Sequence, residues 1–131
     1  MRFWPGGRAR DHNRRLGQEG ERRAEALLVA RGCRVLARNL RQRRGELDLV
    51  VLDGAVLVFC EVKTRTDGAT GGPADAIDGR KQQRLEQLAE GFLAAHPEHG
   101  GRECRFDAVL VEEHRGEWRL EWVADAFRPG W

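Results

Sequence analysis

The chain has 131 residues, 40% hydrophobic and 34% charged, with a formal net charge of +2. That length supports one domain with its own core rather than two. Asp53 and Gly54 interrupt the longest apolar run, so no membrane span and no membrane contact are expected.

The head, MRFWPGGRARDHNRR, is basic and lacks the apolar stretch of a signal peptide, which fits a cytoplasmic protein. Cys33, Cys60 and Cys104 are odd in number and widely spaced, with no CxxC. That pattern argues against a disulfide framework and for reduced thiols. The net charge hides an asymmetry: residues 1–44 carry 13 Arg against four acids, while residues 45–131 carry ten basic and 17 acidic groups. A basic end facing an acidic remainder suits a polyanionic partner, and an arginine-rich solubilising surface accounts for the same count.

In chain order, residues 1–13 hold Pro5, Gly6 and Gly7 and are expected to form a flexible basic arm before a single domain over 14–131. Residues 14–31 have helical spacing through Leu16, Gly20, Ala24, Leu27 and Leu28, with Gly32 at the position of a C-terminal cap. CRVLARN (33–39) is a short strand. ELDLVVLD and AVLVFCEVK are strands joined at Asp53-Gly54, a strong two-residue hairpin signal. TDGATGGP (66–73) is a loop, read as a flap able to close over a backbone; it lacks the GK[ST] of a phosphate-cradling motif. Asp75 to Ala95 is a second helix with Leu85, Leu88, Ala89, Phe92 and Leu93 on one face. CRFDAVLVEE (104–113) and EWRLEWV (117–123) are the last strands, the latter alternating Trp118, Leu120 and Trp122. The order α-β-β-β-α-β-β predicts an α/β fold with a mixed central sheet flanked by helices.

The hairpin carries charges that a core strand would not. If the turn closes on Leu52 and Ala55, Glu46 lies opposite Glu61 and Asp48 opposite Phe59. Alternation then puts Glu46, Asp48, Phe59, Glu61 and Lys63 on one face and Leu47, Leu49, Val51, Val58, Cys60 and Val62 on the other. Carboxylates at diagonal positions repel unless they share a cation or a proton, and a hard ion with oxygen ligands, Mg²⁺ or Mn²⁺, resolves that conflict. Asp48 and Glu61 form the best ligand pair, with Glu46 beside them as a catalytic candidate together with Lys63. Lys63, on the same face, is placed to orient or deprotonate an attacking water. Only two of the 23 basic residues are lysines, Lys63 and Lys81, so a lysine here is a distinct choice. A salt-bridge ladder on a solvated sheet edge fits the same four residues.

Asp on one strand and ExK on the next, after an N-terminal helix, resembles the PD-(D/E)XK nuclease fold. More closely, the stretch from GQEGERRAEALL through GELDLVVLDGAVLVFCEVKTR, with DAIDGRKQQRL, RFDAVLV and VADAF, resembles the YraN-like family over about residues 16–127. These bacterial proteins are regarded as endonucleases related in fold to archaeal Holliday-junction resolvases. The resemblance implies a restriction-endonuclease-like core. It implies metal and catalytic roles for Asp48, Glu61 and Lys63, and it matches Glu21 to a helix acid that reaches the same site. A solvated helix residue is the alternative for Glu21. Leu47 stands where many PD-(D/E)XK enzymes have Pro. Thr70 replaces an aromatic common before the loop glycine.

Arg38, Arg41, Arg43 and Arg44 lead into the metal-bearing strand and are expected to contact phosphates, with Arg65, Arg80 and Lys81 as further candidates. Few of them are placed to read a base. The expected partner is therefore nucleic acid, DNA more than RNA, of branched or single-stranded form, cut by a chain that can pair as a homodimer. Nucleic-acid binding without catalysis is the alternative. Trp118 and Trp122 suit core or interface packing more than base stacking. His96, His99 and Cys104 lack a fourth zinc ligand at sensible spacing.

Overall fold

Apolar residues three to four positions apart wind the chain into helix α1, Pro5–Ala30, of the computed structural model, which describes residues 5–66 and 78–128. The helix starts well before residue 14, so residues 5–13, expected as part of a flexible arm, are helical. Proline suits the first helical turn because its missing N–H would have no intrahelical partner there. Gly32, at φ +96°, ends the helix. The Cys33 N–H donates to the Leu28 carbonyl at 2.9 Å and the Gly32 N–H to Val29 at 3.0 Å, closing the last turn as a glycine cap should.

Strands β1 (Arg34–Gln42), β2 (Gly45–Asp53) and β3 (Val56–Arg65) follow. Helix α2 (Gly79–Ala95) comes next, then β4 (Cys104–His114) and β5 (Glu117–Phe127). Asp78 caps α2, its carboxylate accepting the Lys81 N–H at 3.0 Å. The expected start of this helix at Asp75, and the loop beyond Thr66, lie outside the described residues.

The five strands form one sheet in sequence order, antiparallel except for the parallel β3–β4 pair that α2 connects. Two cores cover its faces. Ala24 and Leu28 of α1 pack with Leu49, Val51, Val58, Cys60, Val109 and Val111. Leu85, Leu88, Ala89 and Phe92 of α2 pack with Leu47, Val50, Leu52, Leu57, Phe59 and Phe106. The result is a three-layer α/β domain. Gly20 brings α1 onto β3, because a Cβ there would collide with Thr64 Oγ1.

The hairpin register differs from the expected one. Asp53 pairs with Val56 and Leu49 with Cys60, so the loop is Gly54-Ala55. Gly54 takes the left-handed position at φ +61° as the first loop residue, while Asp53 stays in the strand and accepts Arg105 Nη2 at 2.9 Å. The slip by two residues preserves side-chain parity, so Phe59 and Glu61 still share a face. Alternation fails instead at Asp48. Leu47 belongs to the α2-side core, although it was expected to face the same way as Leu49. On β1, Asn39 lies between the Arg38–Leu49 and Leu40–Leu47 pairs with φ +50°, so both strands are irregular at this level.

Candidate metal centre

The β2–β3 ladder runs from the turn only as far as Leu49 and Cys60. Beyond that point β2 continues beside β1, and β3 continues beside β4. The sheet therefore forks, and the fork holds the site. Asp48 turns its carboxylate into the seam, where Oδ2 accepts the Val62 N–H at 2.8 Å. A side chain here takes the place of a missing ladder bond.

Glu46 of β2 and Glu21 of α1 come to Asp48 from the α1 side. One carboxylate oxygen from each of the three lies within 4.8 Å of the others. Oxygens on opposite corners of a magnesium shell stand about 4 Å apart, so small side-chain movements would suffice to close on one ion. Asn39 bridges two of the acids. With its amide nitrogen turned toward them it donates to Glu21 Oε2 at 2.8 Å and Glu46 Oε1 at 2.9 Å. Burial pushes the Asp48 carboxyl up to about 7, the Val62 N–H opposes the rise, and the charges of Glu61, Glu21 and Glu46 add to it. Burial, then Glu46, raises Glu21 as well. Such a cluster holds protons or a cation, and its all-oxygen donor set matches a hard divalent ion.

The expected single charged face is thus divided. Glu21, Glu46 and Asp48 gather, while Glu61 lies on the α2 side with Oε1 3.8 Å from Arg84 Nη2. Glu61 Oε2 and Arg84 Nε are buried without a hydrogen-bond partner. Lys63, on the Glu61 face of β3, has its proton affinity lowered chiefly by Lys81, then by burial and Arg65, with Glu61 pulling the other way. The chain's two lysines therefore stand side by side. Glu21 is half-buried, with a carboxylate oxygen within 4.8 Å of one on Glu46 and one on Asp48, so it is not a fully solvated helix residue.

Arg43 and Arg44 form the exposed β1–β2 turn, and Arg41 Nε lies 3.7 Å from Glu46. Arg38 is committed to Glu25 at 2.7 Å and lines a groove of about 400 Å³ with Gln18, Glu21, Arg22, Glu25 and Asn39. Arg65 ends β3, and Arg80 and Lys81 open α2. Antiparallel β2 and β3 bring all these termini to the forked end of the sheet.

Trp118 and Trp122 pack on the α1-side core, as expected. Arg23 lies over the Trp118 ring at 4.5 Å. The Trp122 indole N–H donates to Asp107 Oδ2 at 2.8 Å. His96 stacks on Phe92 with ring centroids 4.3 Å apart, and among the described residues no zinc set forms around it.

Sequence reasoning missed Asn39, Arg84 and Asp107. The first had a signal, since Asn tolerates the left-handed conformation its irregular strand requires. Asp107 is a buried carboxylate satisfied by Arg105, Trp122 and the Asp125 N–H. It ties β4 and β5 to the hairpin turn through the Arg105–Asp53 pair.

Fold and site together define a three-layer α/β domain with an acidic pocket at a fork in a mixed sheet. Among the described residues no helix is long and apolar enough to cross a membrane. The chain belongs to the uncharacterised protein family UPF0102, whose profile it matches over residues 20–111. It is 46% identical to a UPF0102 protein of Magnetococcus marinus over 116 residues, covering 88% of this chain and 94% of that one. A UPF0102 protein of Frankia alni is 50% identical over 113 residues, covering 86% and 93%. One of Halorhodospira halophila is 45% identical over 119 residues, covering 91% and 92%.

Proposed function

We propose that the protein is a divalent-metal-dependent nuclease that hydrolyses phosphodiester bonds of nucleic acid, with branched or single-stranded DNA as the expected substrate. The observation that carries this is the convergence of Glu21, Glu46 and Asp48, from a helix and a strand, at a fork that also presents Glu61 and Lys63. The orphaned Glu61 oxygen beside the cluster adds a fourth oxygen donor in need of a partner.

Asp48, Glu21 and Glu46 would hold Mg²⁺ or Mn²⁺, with Glu61 available to join them. When bound, such an ion neutralises these acids and acts as a Lewis acid toward a phosphoryl oxygen. Exposed Arg41, Arg43 and Arg44 hold flanking phosphates, and Arg65, Arg80 and Lys81 contribute from the other side of the fork. Lys63, on the Glu61 face of β3, accepts the proton of the attacking water at Nζ. The water oxygen bonds to phosphorus, the bridging P–O bond breaks, and solvent protonates the departing oxygen.

The test is to incubate the protein with junction, flap and plasmid DNA in Mn²⁺. Lys63→Ala is expected to lose about 10² or more of the cleavage rate, the usual scale for a general base. Equal rates for the two proteins would remove Lys63 from the chemistry. A second reading, nucleic-acid binding without turnover, is favoured by one observation: Glu61 is held by Arg84 outside the three-acid group. It requires salt-sensitive binding that a chelator leaves unchanged.

A further inference from the structure

We infer that Arg84 is a switched phosphate ligand: its guanidinium holds Glu61 while the acid cluster lacks a cation, and is released to grip the phosphodiester once Glu61 turns to the ion. This rests on the nuclease reading above and adds to it a residue and a coupling between cation and substrate.

The Glu61–Arg84 contact has the character of a resting position rather than a finished ion pair. At 3.8 Å it is beyond hydrogen-bond length, and each partner keeps one buried polar atom unmatched, Oε2 on Glu61 and Nε on Arg84. Buried unpaired polar atoms are costly, so both side chains gain from a better partner. The Glu61 carboxylate finds one in a cation held by Asp48, which already accepts the N–H of Val62, the residue after Glu61, at 2.8 Å. Arg84, with five N–H donors in a planar fork, finds one in phosphate oxygens.

Its track is built into the fold. The Arg84 Cδ stands 3.2 Å from where a Cβ would lie on Gly45, which has φ +143°, so the stem runs close over a position where a side chain would crowd it. Arg84 lies one turn after Lys81 on α2, and its side chain is 42% exposed. The guanidinium therefore reaches solvent at the mouth of the fork, in line with Lys81 and Lys63.

The experiment measures binding rather than cleavage, using Ca²⁺ alone and a fluorescent single-stranded oligonucleotide with the full chain. In the wild type, Ca²⁺ is expected to tighten oligonucleotide binding about tenfold, the scale of one charge-assisted pair. Arg84→Gln should bind Ca²⁺ at least as tightly by calorimetry, yet lose that tenfold. Arg84→Lys keeps the stem and charge without the fork, so it should bind Ca²⁺ as the wild type does and the oligonucleotide more weakly. Without cation, Glu61→Gln should bind the oligonucleotide several-fold tighter than Glu21→Gln, which removes the same charge from the cluster without touching Arg84. The gain should vanish in Glu61→Gln/Arg84→Gln. Weaker Ca²⁺ binding in both Arg84 variants, or equal behaviour of the two glutamate variants, overturns the switch alone. A wild type that binds no Ca²⁺ overturns the nuclease reading and the switch together.

Discussion

Asp48 concentrates the conflict on which the site depends. Burial and three neighbouring carboxylates favour its protonated form, and one backbone N–H favours its charge. Because its carboxyl is raised to about 7 from an ordinary value of 3.8, the folded chain holds a proton between those values that the unfolded chain has released. Stability of the metal-free protein should therefore fall as pH rises from about 4 to about 7 and stay low above that, by on the order of a few kcal/mol. Asp48→Asn retains an acceptor for the Val62 N–H and removes the titration. It is expected to flatten this pH dependence, stabilise the metal-free protein at pH 8, and abolish stabilisation by Mn²⁺. Urea melts with chelator or Mn²⁺ at pH 4.5 and 8 check all three. Parallel losses of stability with pH in wild type and variant would show that Asp48 keeps an ordinary proton affinity.

At the scale of elements, the position of α1 decides whether Glu21 reaches the cluster. Gly20 sits against Thr64 of β3, and its neighbour Glu21 supplies one of the three acids. Gly20→Ala forces the stiff Thr64 side chain or the helix to move, and overpacking of this kind costs about 1–3 kcal/mol. The expected result is a lower urea midpoint with an unchanged m-value, together with weaker Mn²⁺ binding as Glu21 is lifted away. Thr64→Ala in the same chain should recover part of both. Loss of stability with unchanged Mn²⁺ binding would detach Glu21 from the centre.

Which elements the sequence discloses follows from where their physics is local. Helical spacing and the Gly32 cap located the end of α1, and alternation located the strands, because side-chain period and φ are set residue by residue. The turn register was not local. Asp53-Gly54 satisfies a hairpin loop on its own terms, but Asp53 is claimed by Arg105, 52 positions away. The break at Asp48 was equally hidden, since it needs Asn39 in a left-handed conformation on the neighbouring strand. The candidate acids were therefore legible as residues, and Glu46 beside Asp48 was legible from strand spacing, whereas Glu21 came to the site only through the family resemblance. Sequence spacing paired Asp48 with Glu61, and the fork gathers Glu21 and Glu46 around Asp48 while Glu61 faces Arg84.

For the molecule as a whole, topology turns a charge imbalance along the chain into one in space. The arginine-rich first 44 residues end in the β1–β2 turn, which lies at the same end of the sheet as the end of β3 and the start of α2. A nucleic-acid strand crossing the fork would meet Arg43 and Arg44 before it reached the acids. Both side chains are exposed in the turn, so removing them should leave the fold intact. Arg43→Ser/Arg44→Ser is expected to weaken single-stranded DNA binding similarly for every sequence. It should also lower the slope of log K against log salt by about 1.4, two phosphate contacts at about 0.7 each. A salt titration by fluorescence anisotropy on two unrelated oligonucleotides gives the slope directly. An unchanged slope would mean that the strand approaches from elsewhere, and would move the interface toward Arg65 and Arg80 on the far side of the fork.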